Sequence, residues 1–189
     1  MTTKTVFVIP GFRQKTTNRA YTKLAKILKA QGYSPILINL SWKNTSILKQ
    51  TEKFLKEYKK IKTRRKYILG FSFGAMIAFI ASTKVSPSGI ILCSLSPFFK
   101  EDLSQKMLSK HSDFSKLNCK NLAKKIKAKK ILMLYGTREE RSLKKRTTTA
   151  FSLISSKRKY LIPIRKTEHD IGNINYLSTI SQLTKSLSS

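Results

Sequence analysis

Residues 66–79 read KYILGFSFGAMIAF, and this stretch decides the fold. The segment YILG is short and apolar, which is typical of a buried strand. Residues 73–84 are apolar on nearly all sides, which predicts a buried helix. Ser72 stands at the junction, with Gly70 two residues before it and Gly74 two residues after it. The pattern therefore predicts a serine on a sharp turn between a strand and a helix.

A serine at such a turn either packs in the interior or acts as a nucleophile. The turn strains the backbone of the serine and projects its hydroxyl above the sheet. The chain passes close to itself two residues before and after, so Gly70 and Gly74 fit where a side chain would not. The helix beginning near Phe73 directs its amides and dipole at the same point, where they stabilise an anion. This Gly-x-Ser-x-Gly pattern favours Ser72 as a nucleophile.

The rest of the chain alternates short apolar segments with longer amphipathic ones. The short segments predict strands at residues 5–9, 35–40, 67–70, 89–93, 131–135 and 160–164. The longer segments predict helices at 18–30, 46–60, 73–84, 117–128, 142–156 and 173–187. Continuously apolar strands that alternate with helices predict an α/β fold, a mostly parallel sheet of about six strands with helices on both faces.

The size and composition fit one globular domain over residues 1–189. Hydrophobic residues make up 40% of the chain, enough to bury a core. No apolar run reaches the roughly 18–20 residues that cross a bilayer, and the run from Val6 to Pro10 is too short for the core of a signal peptide. We therefore expect a cytoplasmic protein. Cys93 and Cys119 form no CxxC pattern, which argues against a zinc site or a disulfide framework.

With this strand–serine–helix unit after two earlier strands, the chain resembles the α/β-hydrolase family over nearly its whole length. In that family an acid and then a histidine follow the nucleophile along the chain. The acid usually follows a later strand in a pattern like Gly-x-x-Asp, and residues 134–141 read LYGTREER. Glu139 takes the matching position, with Glu140 beside it as the alternative. His169 follows the last predicted strand, whereas His111, the other histidine, precedes the acid.

The resemblance also implies an oxyanion hole made of two backbone N–H donors. One donor is expected from Phe73, directly after the nucleophile. The other is expected from the loop after the first strand, where the family often has His-Gly-x. Here that loop reads VIPGFRQ, so Pro10 replaces the histidine and Gly11 matches. The second donor is then Phe12 or Arg13, with Phe12 in the matching position.

The resemblance implies a serine hydrolase with a Ser-His-Glu triad, an acyl-enzyme intermediate and no metal or cofactor. A small-molecule carboxylic ester is the expected substrate, while thioester, amide and acyltransferase chemistry stay open. Residues 95–116 are the one stretch without a clear assignment, and they are too few for a full cap domain. We expect a short lid there. Phe98 and Phe99 either wall an acyl pocket or belong to the core.

The charge is the unusual feature of the composition, since 39 basic residues against 9 acidic ones give a formal net charge of +30. Basic runs at 59–66, 124–130 and 157–159 each directly precede a strand. In a parallel sheet these runs lie at the edge opposite the catalytic loops. They either keep the protein soluble or bind a polyanion non-specifically, through residues such as Arg64, Arg65, Lys125 and Lys127.

The charge therefore leaves an alternative function open. A catalytically idle hydrolase-like fold would act as a polyanion-binding or partner-binding module. No base-stacking aromatic motif is interleaved with the basic runs, so the sequence argues against sequence-specific nucleic-acid recognition.

Overall fold

Six parallel strands form one sheet in the order β2-β1-β3-β4-β5-β6. The computed structural model describes residues 4–43, 45–110 and 112–187, so His111 lies outside the described residues. The strands are β1 (Lys4–Ile9), β2 (Tyr33–Leu37), β3 (Arg65–Phe71), β4 (Gly89–Cys93), β5 (Ile131–Gly136) and β6 (Lys159–Ile164). The predicted parallel sheet of about six strands is confirmed.

Helices cover both faces of the sheet. They are α1 (Arg19–Ala30), α2 (Ile47–Lys60), α3 (Phe73–Ala81), α4 (Gln105–Lys110), α5 (Ser112–Ser115), α6 (Cys119–Ala123), α7 (Arg141–Leu153) and α8 (Ile174–Leu187). Buried side chains of α1 and α8 pack on one face, against Val6 and Val8 of β1. Those of α2, α3, α6 and α7 pack on the other face, against Phe7 and Ile9. Alternate residues of one strand thus enter two separate cores.

The central strands are buried over most of their length, and the edge strands are not. All five residues of β4 are buried, whereas only Tyr33 of β2 and Ile164 of β6 are buried. Each edge strand also contains a proline, Pro35 in β2 and Pro163 in β6. Proline is tolerated there because an edge strand leaves one row of backbone amides unpaired. The continuous apolar pattern therefore indicates burial along most of the strand only for the central strands.

Several predicted ends differ from the observed ones, most clearly in two elements. The predicted strand at 35–40 is shifted, because β2 pairs with β1 from Lys4–Tyr33 to Val8–Leu37 and ends there. The predicted helix at 117–128 shortens to α6, since the following lysines form a turn in which the Lys127 amide donates to the Ser82 carbonyl.

The segment between β4 and α6 contains short helical turns. A 3₁₀ turn spans Lys100–Asp102, and α4 and α5 follow it. The side chain of Arg146 on α7 holds this segment, because its Nε lies 2.6 Å from Asp102 Oδ2. Along the described chain, no helix is both long enough and apolar enough to cross a membrane.

Candidate active site

Ser72 lies on a strained turn between β3 and α3. Its φ is 55° and its ψ is −120°, in a region that residues with a side chain rarely adopt. Its backbone N–H donates to the Cys93 carbonyl at 2.8 Å, which fixes the turn against the end of β4. The turn holds the hydroxyl at the edge of the sheet where the strands end.

The glycines on either side of Ser72 lie where no side chain fits. A Cβ atom on Gly70 would lie 2.2 Å from the carbonyl oxygen of Gly74. A Cβ atom on Gly74 would lie 2.1 Å from the carbonyl oxygen of Ile9, at the end of β1. Gly74 therefore makes room for the neighbouring strand as well as for the turn.

We expect Gly74→Ala to destabilise the protein by about 1–3 kcal/mol or more, because the clash is with backbone that cannot rotate away. The free energy of unfolding in urea measures this cost. Gly172→Ala is the matched control, since a Cβ atom there would meet only side-chain atoms, at 3.2 Å or more. Equal stability of the two variants would contradict the role of Gly74.

His169 reaches Ser72 from the loop after β6. Its Nε2 lies 2.9 Å from the Ser72 Oγ, within hydrogen-bond distance. Its ring packs against Phe71, the residue before the serine, with ring centroids 4.8 Å apart. The imidazole is 39% exposed, so one side of it faces solvent. A histidine in this position can take a proton from the serine hydroxyl.

Glu139 lies on the other side of the imidazole and is completely buried. Its Oε1 lies 3.5 Å from His169 Nδ1, longer than the ~2.6–3.2 Å of a formed hydrogen bond. Glu140 is exposed, precedes α7 as its N-cap residue and accepts a hydrogen bond from Ser142 at 3.4 Å. Of the two acids that the sequence left open, Glu139 is thus the one beside the histidine.

Two hydroxyl groups that the sequence analysis missed hold the Glu139 carboxylate. The Ser94 hydroxyl donates to Glu139 Oε1. The single proton of the Tyr176 hydroxyl then points to the Ser94 Oγ at 2.5 Å, with Glu139 Oε1 as a more distant acceptor at 3.4 Å. Burial raises the pKa of Tyr176 well above its ordinary range, so the phenol keeps the proton that it donates. Ser94 follows β4 directly, a position that could have drawn attention to it, whereas nothing in the sequence singles out Tyr176.

The acid loop and the histidine loop are joined by backbone contacts. The Arg138 amide donates to the Thr167 carbonyl at 2.9 Å, and the Thr137 amide donates to the Ile164 carbonyl at 2.9 Å. A Cβ atom on Gly136 would lie 2.2 Å from the Thr167 oxygen, so only glycine allows this approach. The glycine of the Gly-x-x-acid pattern therefore sets the distance between the two loops.

The loop after β1 forms a tight turn beside Ser72. The Gln14 amide donates to the Gly11 carbonyl at 3.2 Å, and Arg13 has a positive φ of 56°. The Gly11 amide in turn donates to the side chains of Gln14 and Tyr21, both at 3.1 Å. Within the described residues, the backbone amides of Phe12, Arg13 and Phe73 donate no hydrogen bond. The choice between Phe12 and Arg13 as second donor stays open.

The residues expected in an acyl pocket lie in two different environments. Phe99 is buried, with its ring 5.4 Å from that of Phe79 in the core. Phe98 is 37% exposed and packs on the guanidinium of Arg146. Both border a cleft of ≈ 500 Å³ between the segment after β4 and α7, which neither Ser72 nor His169 lines. Their assignment to a substrate pocket stays a prediction.

Both cysteines are free and buried, and burial raises the pKa of each thiol, that of Cys119 to about 12. Across residues 4–43, 45–110 and 112–187, no cluster of three or more His, Cys, Asp or Glu side chains is suited to a metal ion.

The basic runs lie where their strands begin. Arg65 is the first residue of β3 and pairs with Lys4 of β1, and Lys159 is the first residue of β6. Arg64, Arg65, Lys125 and Lys127 are all exposed. Ser72 and His169 instead follow the carboxyl ends of their strands. The two groups are therefore at opposite edges of the sheet.

No protein-family model matches this chain, and no curated protein matches it in sequence. Solved structures do match it in shape, at low sequence identity. Est1E from Butyrivibrio proteoclasticus is 14% identical with a TM-score of 0.78, and the match covers 98% of this chain and 87% of Est1E. The monoacylglycerol lipase of Paleococcus ferrophilus is 13% identical with a TM-score of 0.77, covering 98% of this chain and 96% of the lipase.

A third match carries the name of the fold family itself. The α/β-hydrolase domain-containing protein 10 from mouse is 13% identical with a TM-score of 0.77, over 97% of this chain and 89% of the mouse chain. Matches at identities this low show the fold alone. The strand order and the strained turn at Ser72 agree with that fold. The chain therefore has the α/β-hydrolase fold, as its sequence motifs predicted.

Proposed function

We propose that this protein is a serine hydrolase that cleaves an ester-type acyl bond through Ser72, His169 and Glu139. The observation that carries the proposal is the 2.9 Å contact between His169 Nε2 and Ser72 Oγ, on a turn where the serine has a φ of 55°. A strained serine paired with a histidine and a buried acid is the arrangement that activates a hydroxyl nucleophile.

The reaction follows from the roles of these groups. His169 Nε2 takes the hydroxyl proton as Ser72 Oγ attacks the acyl carbon. We take Phe12, which has the matching position in the loop, as the second donor. Its amide and that of Phe73 stabilise the oxyanion, and His169 returns the proton to the leaving alcohol. Water activated by the same imidazole then releases the acid from the acyl-enzyme. Glu139 orients the ring and stabilises the imidazolium.

Pre-steady-state kinetics with 4-nitrophenyl acetate test this two-step mechanism. We expect a burst of 4-nitrophenol that approaches one equivalent of enzyme and is followed by slower turnover, because an acyl-enzyme accumulates when deacylation is rate-limiting. Release no faster than in buffer would contradict the proposal.

Carboxylic esters are the substrates we favour, in keeping with the name of the monoacylglycerol lipase that shares the fold. Thioester hydrolysis and acyl transfer use the same triad and are the alternatives. The segment 95–116 would act as a short lid beside this site. The cytoplasmic location stays a prediction.

Replacing Glu139 with glutamine is expected to lower kcat for ester hydrolysis by up to about 10⁴-fold, because the amide no longer fixes the reactive tautomer of the imidazole. Glu140→Gln is the matched control on the neighbouring residue, which is exposed. It should change kcat by less than about twofold. A larger loss from Glu140→Gln than from Glu139→Gln would reverse the assignment of the acid.

A second candidate function is polyanion binding without catalysis. Two observations favour it, the exposed basic residues at the amino ends of the strands and the 3.5 Å separation of Glu139 from His169. A catalytically idle fold would tolerate that separation. The alternative is that the basic residues bind no partner and only keep the protein soluble.

Charge reversal separates these possibilities. If the basic edge binds polyanions, affinity for poly(U) should fall steeply with salt, with a log–log slope of about −0.7 for each phosphate neutralised. Reversal to glutamate at Arg64, Arg65, Lys125 and Lys127 should flatten that slope and spare ester hydrolysis. The control makes the same charge change on α1 and α2, at Lys23, Lys26, Lys49 and Lys53. Equal effects of both variants, or no binding by the wild type at low salt, would contradict a specific basic edge.

A further inference from the structure

Three aromatic side chains lie directly beside the proposed oxyanion hole. The rings of Phe12 and Phe73 stack with their centroids 4.9 Å apart. The Trp42 ring meets both of them edge-on, at 5.2 Å from Phe12 and 5.4 Å from Phe73. Because Phe12 and Phe73 are also the proposed backbone donors, an acyl carbonyl bound there lies next to this aromatic cluster.

The cluster forms one wall of a cleft of ≈ 430 Å³. Ile47 and Phe114 add apolar surface from α2 and α5, and Lys110 and Asp113 also line it. The volume is within the range of about 300–1,000 Å³ that small-molecule sites occupy. The lining also includes Thr45 and Ser46 but neither Ser72 nor His169, so the cleft adjoins the site through Phe73, the residue after the serine. It has the size of a site for a small group with an apolar face.

Trp42 contributes an unused hydrogen-bond donor to this region. Its indole Nε1 is buried, and it has no acceptor among the described residues. A buried donor without an acceptor is costly, so such groups in native proteins call for a partner. A ligand oxygen would supply the missing acceptor once the side chains that cover this N–H move aside to admit it.

The charges around the cluster argue against a cationic ligand. Aromatic walls attract cations, but the Arg13 guanidinium already lies over the Phe12 ring, 5.0 Å from its centroid. Lys110 and Asp113 add one charge of each sign to the lining, so Arg13 leaves the region net positive, and the whole chain has a net charge of +30. A neutral ring can pack on the Phe12 side chain, which is 43% exposed, without this repulsion.

We infer that this cleft binds the acyl part of the substrate and selects an aromatic acyl group whose ring bears a hydrogen-bond-accepting oxygen. The inference rests on the proposed function for the position of the reacting carbonyl. Trp42 is then the specificity-determining residue, since its ring packs on the acyl group and its N–H binds the ring oxygen. An alkyl acyl group would fill the cleft and leave that donor unpaired.

Fluorescence offers a test that needs no catalysis, because Trp42 is the only tryptophan in the chain. The Ser72→Ala protein is titrated with methyl 4-methoxybenzoate, methyl benzoate and methyl cyclohexanecarboxylate, with excitation at the red edge of the indole absorption. We expect a saturable change in emission, with the methoxy ester bound about tenfold more tightly than the cyclohexane ester. The affinity for methyl benzoate should lie between those for the other two esters.

Kinetics of variants that fold like the wild type by circular dichroism then separate the ring from the N–H. Trp42→Phe, which keeps a ring and loses the donor, should lower kcat/KM for the methoxy ester by about fivefold to tenfold and leave that for methyl benzoate nearly unchanged. Trp42→Ala should lower both. Tyr160→Ala is the control, because it removes an exposed aromatic side chain on β6.

The results also separate this inference from the proposed function. If the cyclohexane ester binds as tightly as the methoxy ester, or if Trp42 emission does not respond to any of the three, the inference is wrong. Hydrolysis of 4-nitrophenyl acetate by the wild type would leave the proposed function intact in that case. Tight binding of the methoxy ester by a wild type that hydrolyses no ester would instead refute the proposed function and support the binding site.

Discussion

Replacing Ser72 with alanine is expected to lower kcat for a short-chain ester by about 10⁴–10⁶-fold, because the covalent route is lost with its nucleophile. The residual rate would come from binding and oxyanion stabilisation alone. The KM should rise towards the dissociation constant of the ester, because no acyl-enzyme accumulates in the variant. Steady-state hydrolysis of 4-nitrophenyl acetate measures both quantities.

Ser178→Ala is the matched control for this variant. Ser178 is exposed on α8, and among the described residues its hydroxyl donates only to the Asn175 carbonyl, at 3.2 Å. Its loss should leave kcat unchanged. A Ser72→Ala protein that keeps most of its activity would show that another group is the nucleophile.

Replacing His169 with glutamine should cost nearly as much as replacing Ser72, because the serine is a weak nucleophile without its base. The two losses should not add. Members of a catalytic unit fail together, so the double variant Ser72→Ala/His169→Gln should be no slower than Ser72→Ala alone, within about threefold. Comparing kcat for the two single variants and the double variant tests this directly.

His111→Gln is the control here, since His111 precedes the acid in the chain, out of the order expected for a catalytic histidine. It should retain wild-type kcat. Additive losses in the double variant would mean that Ser72 and His169 act independently, which would contradict a shared mechanism despite their 2.9 Å contact.

The sheet was predictable because its signal is local. Buried central strands such as β4 are unbroken apolar runs, and each is separated from the next by a segment of helix length. The exact ends of the strands were less predictable, because the pairing between neighbouring strands decides them. Lys4 aligns with Tyr33 across β1 and β2, and this register moves β2 towards the N-terminus of the predicted strand. No pattern within residues 33–40 carries that information.

The geometry of the candidate site was predictable only where a motif or the chain order marks a residue. Ser72 stands out by its glycines, and Glu139 and His169 by their positions after strands. Ser94 and Tyr176, which hold Glu139, carry no such mark, since they are 82 residues apart and meet only in the folded chain. Nothing in the sequence marks Trp42 either, because its ring contacts to Phe12 and Phe73 arise only from tertiary packing.

Labelling with a fluorophosphonate, followed by peptide mass spectrometry, tests the central claim most directly. The probe phosphonylates an activated serine hydroxyl and leaves ordinary serines unmodified. We expect one modification per chain, on the peptide that contains Ser72, with no labelling of the Ser72→Ala or the heat-denatured protein. A folded wild type that stays unlabelled, or that is labelled on a peptide without Ser72, would contradict the assignment of Ser72 as the nucleophile.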